Sequence, residues 1–161
     1  LAATLATESL FEAFLGSPEE QKTFYYGHSY CANPLGCAAA LASLSLFETE
    51  QTLSSLEPKR VQLAESLERH FGDHPHVGEI RQLGMIAAID LVRDRDSGEP
   101  FPAENLTGAK VCVAARKHGI LTRPVLDTLV FMPPLCVPEA DIEAGLAGLA
   151  QGVAEVGESP S

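Results

Sequence analysis

The sequence predicts a mixed α/β fold, a small sheet with helices packed mainly on one face. Three observations lead there. Apolar residues recur at helical spacing over 56–71 and again after Pro138, and they alternate at strand spacing from Met85 to Val92. The elements then follow one another as helix–strand–strand–helix–strand–strand–helix. With 161 residues, 45% of them hydrophobic and 20% charged, the composition is globular, and the length suits one ordinary domain with its own core.

Taken in order, residues 1–6 read as a strand already under way, because the chain opens without Met inside the apolar phrase Leu1-Ala2-Ala3-Thr4-Leu5-Ala6. That opening suggests a fragment that begins inside a larger protein. Thr7-Glu8 starts a short helix over 8–15 closed by Gly16, and Ser17-Pro18 marks a break. The stretch 23–26 leads into the loop Gly27-His28-Ser29-Tyr30. Asn33-Pro34 is a helix start, with Asn as cap and Pro in the first turn, where its missing N–H costs nothing. The run Leu35–Glu50 is rich in Ala and Leu on every face, the pattern of a helix buried all round.

Leu56, Leu63, Leu67 and Phe71 form one stripe of a second helix over 56–71, with Gly72 as its stop. Strands follow over 77–83 and 85–92. Gly84 is either a bend in one long strand or a junction between two. Residues 93–100 form a solvated loop, and a helix over 106–118 ends at Gly119. Two short strands, 120–123 and 128–132, flank a turn at Leu126-Asp127, and Pro133-Pro134 ends the second. The last helix begins after Pro138, with Glu139, Asp141 and Glu143 favouring its positive N-terminus. Ile142, Leu146, Leu149 and Val153 make its buried stripe. Gly157 to Ser161 reads as a disordered tail.

Net charge narrows the function classes. Eleven Lys+Arg against 22 Asp+Glu give −11, which argues against a surface built to coat nucleic acid or an anionic membrane. Cys31, Cys37, Cys112 and Cys136 show no CxxC or zinc spacing. They read as small, reduced core thiols of a cytosolic protein. The uncharged stretch 23–47 is broken by Gly27, His28, Ser29, Asn33 and Pro34, so it is too short to span a bilayer. No secretory signal is visible.

Two places could carry chemistry. In Gly27-His28-Ser29-Tyr30, glycine permits close backbone approach, and a hydroxyl beside free amides can hold a phosphate. The plainer reading is a polar turn with a capping Ser. In Thr122-Arg123-Pro124, a guanidinium at a strand end can grip a carboxylate through two parallel hydrogen bonds. The plainer reading is a surface Arg paired with Asp127 or another acid. Asp73-His74-Pro75-His76 reads as a solvated turn rather than a metal site. Lys22, Lys59, Lys110 and Lys117 lie in polar surroundings, and none sits in an apolar phrase that would ready a lysine for Schiff-base work.

The phrase Phe24-Tyr25-Tyr26-Gly27-His28-Ser29-Tyr30-Cys31-Ala32-Asn33-Pro34-Leu35-Gly36-Cys37 resembles a segment of the class III pyridoxal-phosphate aminotransferases. Leu121-Thr122-Arg123-Pro124 with Asp127 to Pro134 looks like the biotin-synthesis branch of that class, and Arg81 to Ala87 fits it too. The likeness covers about residues 1–155. It implies the C-terminal part of a fold type I transferase. Residues 1–33 would end the large cofactor-binding domain, 34–52 would form the long interdomain helix, 53–157 the small α+β domain and 158–161 a disordered tail.

The resemblance further implies pyridoxal 5'-phosphate as cofactor and a homodimer in the full-length enzyme, in which the Gly27–Ser29 segment reaches the partner's cofactor. Ser29 would hold its phosphate, the His28 backbone would face that phosphate, Gly27 would line the substrate site and Arg123 would bind the substrate carboxylate. The Schiff-base lysine would lie upstream of Leu1, so no residue here is expected to be catalytic and the chain alone is expected to be inactive. The reaction implied is ping-pong amino transfer, with S-adenosylmethionine as donor in most members and 8-amino-7-oxononanoate as acceptor, giving 7,8-diaminononanoate in the cytoplasm. No nucleic-acid, membrane or metal partner is expected. Two alternatives stand beside it: another class III ω-aminotransferase of the ornithine or 4-aminobutyrate type, and a non-catalytic α+β interaction module.

Overall fold

A computed structural model of the chain describes residues 1–157. They fall into two compact units, one spanning Leu1–Gln51 and the other beginning at Thr52. The tail expected over 158–161 lies outside the described residues, and Gly157 belongs to the last helix rather than to a tail.

In the first unit, residues 1–7 form no strand, contrary to the expectation for 1–6. Apolar patterning marks a segment able to line a face, but a strand needs a neighbour to complete its ladder, and the described residues offer it none. Helix α1 (Glu8–Glu12) is shorter than the 8–15 expected; the Thr7 hydroxyl caps it by accepting from the Leu10 amide. Helix α2 (Pro34–Thr49) starts where expected, with Pro34 in its first turn and Asn33 Oδ1 accepting from the Gly36 amide at 3.1 Å. The expectation that α2 is buried on all sides fails, because none of its residues is buried. Its composition says how much surface it could bury, whereas burial itself needs covering elements. Within its unit Leu1, Ala2 and Ala3 lie along it, beside Gly36, Ala39 and Ala40.

The second unit holds the core. Helix α3 (Thr52–Phe71) starts four residues before its apolar stripe, because its first turn, with Leu53 exposed, lies off the buried period. Leu63, Leu67 and Phe71 are buried as expected, together with Ser66. Strands β1 (Val77–Leu83) and β2 (Ile86–Leu91) pair antiparallel, and Leu83 opposes Ile86 across the two-residue turn Gly84-Met85. Gly84 is therefore a junction, and its φ of +60° is what the first position of such a turn demands. Helix α4 (Thr107–Ala115) runs into a 3-10 turn, Arg116–His118, closed by Gly119.

The expected strand at 120–123 is displaced. Strand β3 (Pro124–Val125) pairs instead with β4 (Thr128–Phe131). Pairing spreads outward from the Leu126-Asp127 turn and runs out at Pro124, while Ile120 sends its amide back to the Ala115 carbonyl. The four strands lie in the order β1-β2-β4-β3, all antiparallel. Ala87, Ile89, Leu91, Leu129 and Phe131 form the buried face, joined in one core by side chains of α3, α4 and helix α5 (Glu139–Gly157). On the other face the Arg81 guanidinium binds Asp90 and Glu79, and the Thr128 hydroxyl donates to Asp90 at 2.7 Å.

Two devices seat α5. Its buried stripe contains Gly145, Gly148 and Gly152 between Ile142, Leu146, Leu149 and Val153. A Cβ on Gly148 would stand 2.9 Å from the His118 carbonyl oxygen, a backbone atom with little room to yield. The Glu143 carboxylate also ties α5 to α3. It accepts from the Ser66 hydroxyl at 2.6 Å, meets His70 Nε2 at 2.8 Å and pairs with Arg69 at 2.9 Å. The Ser66 and His70 hydrogen bonds, with Arg69 adding its charge, bring Glu143 from its ordinary 4.5 down to about 2.

Gly148→Ala should lower the thermal midpoint. The overpacking cost of about 1–3 kcal/mol exceeds the roughly 1 kcal/mol that Ala gains over Gly in a helix; an unchanged or raised midpoint would refute the close-packing account. Because Glu143 is more acidic in the folded state, its contribution is complete above about 4.5 and fades as the pH falls toward about 2. Urea titrations of wild type and Glu143→Gln should therefore differ at neutral pH and converge across that window.

Candidate active site

The first cluster is a turn wound by its own main chain. Exposed Phe24 and Tyr26 lead into it, their rings 6.0 Å apart, with Phe14 5.3 Å from Phe24. The His28 carbonyl accepts from the Cys31 amide at 2.9 Å, and the Tyr30 carbonyl accepts from the Asn33 amide at 3.2 Å. His28 folds its ring back so that Nδ1 accepts from the Tyr30 amide at 3.2 Å. These bonds leave the amides of Gly27, His28 and Ser29, and the Ser29 hydroxyl, with no protein partner among the described residues. Nothing would lie within 4 Å of a Cβ on Gly27. The capping reading of Ser29 does not hold, because Asn33 caps α2. Adjacent free amides beside a hydroxyl form the kind of concavity that accepts phosphate oxygens, so the residues fit a phosphate-bearing cofactor.

Arg123 stands in the second unit, on the approach to β3. The Thr122 hydroxyl donates to the Val130 carbonyl at 2.7 Å, and Pro124 pairs with Leu129, so Arg123 is bracketed on both sides by links to β4. Its guanidinium is exposed and has no partner among the described residues. Arg60, Arg69, Arg81 and Arg93, by contrast, are each paired with an acid. The pairing of Arg123 with Asp127 does not form. Asp127 Oδ1 instead accepts from the Gly108 amide at 2.7 Å, in the first turn of α4. That link joins residues 19 apart, and no local pattern announces it. The one hint in the sequence is a glycine early in a helix, where a side chain would be in the way.

The structure thus brings Gly27, His28 and Ser29 together in one turn and sets Arg123 on a separate hairpin. None of the four lysines is buried: Lys22 pairs with Glu20, Lys117 with Glu155, and Lys59 donates to the Leu135 carbonyl. Of the cysteines expected in the core, only Cys112 is buried; Cys31 and Cys136 are exposed and Cys37 is half-buried. Exposure depends on what covers each position, which a small apolar side chain cannot reveal by itself. His74 and His76 are half-buried rather than freely solvated. His74 Nδ1 accepts from the His76 amide at 3.1 Å, and burial pushes the His74 imidazole below its usual pKa. Among the described residues no helix is long and apolar enough to cross a membrane.

Residues 1–153 match the family described as Aminotransferase class-III. The chain is 46% identical over 153 residues to the adenosylmethionine-8-amino-7-oxononanoate aminotransferase of Geobacter sulfurreducens, covering 95% of this chain and 34% of that protein. It is 48% identical over 142 residues to the protein of the same name from Aquifex aeolicus, covering 88% and 31%. Among solved structures, the adenosylmethionine-8-amino-7-oxononanoate aminotransferase of Methanocaldococcus jannaschii superposes with a TM-score of 0.86 at 33% identity, over 92% of this chain and 34% of that one. The omega transaminase of Pseudomonas jessenii, in complex with PMP, gives 0.77 at 33% identity over 86% and 30%. The chain spans about a third of the length of these relatives.

Proposed function

Because the chain belongs to the class-III aminotransferase family, we propose that it supplies the phosphate-holding turn and the substrate-binding arginine of a pyridoxal-phosphate-dependent enzyme that aminates 8-amino-7-oxononanoate, with S-adenosylmethionine as the donor. One observation carries this reading: the family match over 1–153 contains both the Gly27–Ser29 turn and the Arg123-Pro124 phrase. The shared name of relatives at 46% and 48% identity supports the substrate.

Each residue has a physical task. The Ser29 hydroxyl and the amides of Gly27 to Ser29 hold the cofactor's phosphate, a dianion that favours several converging donors. Gly27, bare of a side chain, leaves room for the substrate. Arg123 grips the acceptor's carboxylate through two parallel hydrogen bonds, fixing the distance from that end to the reacting carbon. The cofactor, when bound, is the electron sink on which amino transfer depends. The amine that anchors it covalently comes from outside these 161 residues. In the homodimer we propose, the Ser29 turn serves the cofactor of the opposite subunit, in a reducing cytoplasm. The second reading, an ω-aminotransferase for another amine, draws on the likeness to the Pseudomonas jessenii enzyme, at 33% identity against 46% and 48% for the Geobacter sulfurreducens and Aquifex aeolicus relatives.

Arg123→Ala in the complete enzyme should raise KM for 8-amino-7-oxononanoate roughly ten- to a hundredfold, as loss of a charged hydrogen bond implies. A complete enzyme that takes its amino group from ornithine-type donors but does not aminate this keto acid would select the second reading. Ser29→Ala should loosen the cofactor by about tenfold or more, read as faster loss of pyridoxal phosphate on dialysis; unaltered retention would remove Ser29 from the phosphate site.

A further inference from the structure

Helix α4 does not merely pack near the hairpin that carries Arg123; its first turn is pressed flat against it. A Cβ on Gly108 would lie 2.4 Å from the Leu126 carbonyl oxygen, 3.0 Å from the Pro124 Cβ and 3.1 Å from the Asp127 Cα. Only a bare backbone fits there, and that backbone presents its amide to Asp127 Oδ1 at 2.7 Å. The turn so fastened is one that would resist its shape if left alone. Leu126 sits at a φ of +55°, a conformation an L side chain disfavours, and the residue is 91% exposed, with little around it to hold it there. Strand β3, two residues long, adds only the pairs Pro124–Leu129 and Val125–Thr128. The hairpin that presents Arg123 is thus short and strained at its tip; pairing of β4 with β2 and the bond from the Leu91 amide to the Asp127 carbonyl at 2.9 Å fix its inner side, while the side-chain bond that ties the turn to α4 is that of Asp127.

We propose that Asp127 is the positioning residue of the carboxylate site: its bond to the Gly108 amide latches the β3–β4 turn to α4 and so holds Arg123 ready for substrate. The inference rests on the assignment of Arg123 to the acceptor's carboxylate. Latching also consumes the Asp127 carboxylate, the acid that the sequence offers as Arg123's counter-ion, and leaves the guanidinium free. A preformed site spares the ordering cost on binding, so loss of the latch weakens the grip on the carboxylate without touching the chemical step.

Steady-state kinetics of the complete holoenzyme test this with two acceptors, 8-amino-7-oxononanoate and the matching amino ketone in which a methyl group replaces the carboxylate. Asp127→Ala should raise KM for the keto acid by about fivefold or more while kcat and the KM for the methyl analogue stay within about twofold. Asp127→Asn, whose amide oxygen accepts the same bond, should restore wild-type values. If Asp127→Ala does not fold, Asp127→Ser, too short to reach Gly108, should show the same split. An equal rise for both acceptors would mean ordinary structural support and overturn the proposal. So would an unchanged KM in Asp127→Ala beside a raised KM in Arg123→Ala, and in that case the assignment of Arg123 would survive. An unchanged KM in Arg123→Ala would remove the underlying reading itself, and the latch with it.

Discussion

Helix α5 can lie as close as it does only because it carries glycine where its backbone comes nearest to α4 and the turn that follows it. Gly148 faces the His118 carbonyl, and Gly152 faces the Val111 carbonyl and the Ala115 amide of α4. Helix α4, set at that distance, brings Gly108 flush against the turn between β3 and β4. Bare backbone meeting bare backbone therefore runs as a relay from the last helix of the chain to the hairpin carrying Arg123. Apolar side chains fill the volume around this relay, with Phe71, Ile89, Leu129 and Leu149 at its centre. They supply most of the driving force, but the glycines decide where the helices come to rest.

Electrostatics is used sparingly and locally in this unit. The chain has twice as many acids as Lys and Arg together, yet its acids serve mainly as fasteners. Glu143 joins α5 to α3, Glu155 binds Lys117 and His118, Asp90 holds Arg81 across two strands, and Asp127 caps α4. Asp127, the acid nearest to Arg123 downstream in the sequence, is engaged at the Gly108 amide, and the Arg123 guanidinium has no acid partner among the described residues. Coulombic attraction falls off quickly beyond the Debye length, so an exposed Arg123 retains its capacity for an incoming carboxylate.

Much of the second unit could be read in the chain. The stripe Leu63, Leu67 and Phe71, the alternation of Ala87, Ile89 and Leu91, and the spacing of Ile142, Leu146, Leu149 and Val153 each follow from a single element's period. The Asn33-Pro34 start of α2 was legible for the same reason, since cap and first turn are neighbours in sequence. What escaped depends on partners. Residues 1–6 have strand composition and no ladder, and β3 forms at Pro124 because the turn sets the register rather than the apolar run before it. Sequence proximity offers Asp127, or another acid, as one possible partner of Arg123, whereas the Asp127 carboxylate binds the Gly108 amide on another element. The Ser29 turn and Arg123 stood out because their phrases resemble a family; periodicity alone left both ambiguous.

Helix α2 leaves Leu35, Leu41, Leu44 and Leu46 more than half exposed. For these 161 residues in solution, such a surface sets short-range stickiness against the long-range repulsion of eleven surplus negative charges. Near pH 4.8, where that surplus vanishes, the repulsion is gone and stickiness governs. Colloidal behaviour of the polypeptide is thus expected to follow acidity and ionic strength, with the leucines of α2 among the surfaces that come together as the isoelectric point is approached.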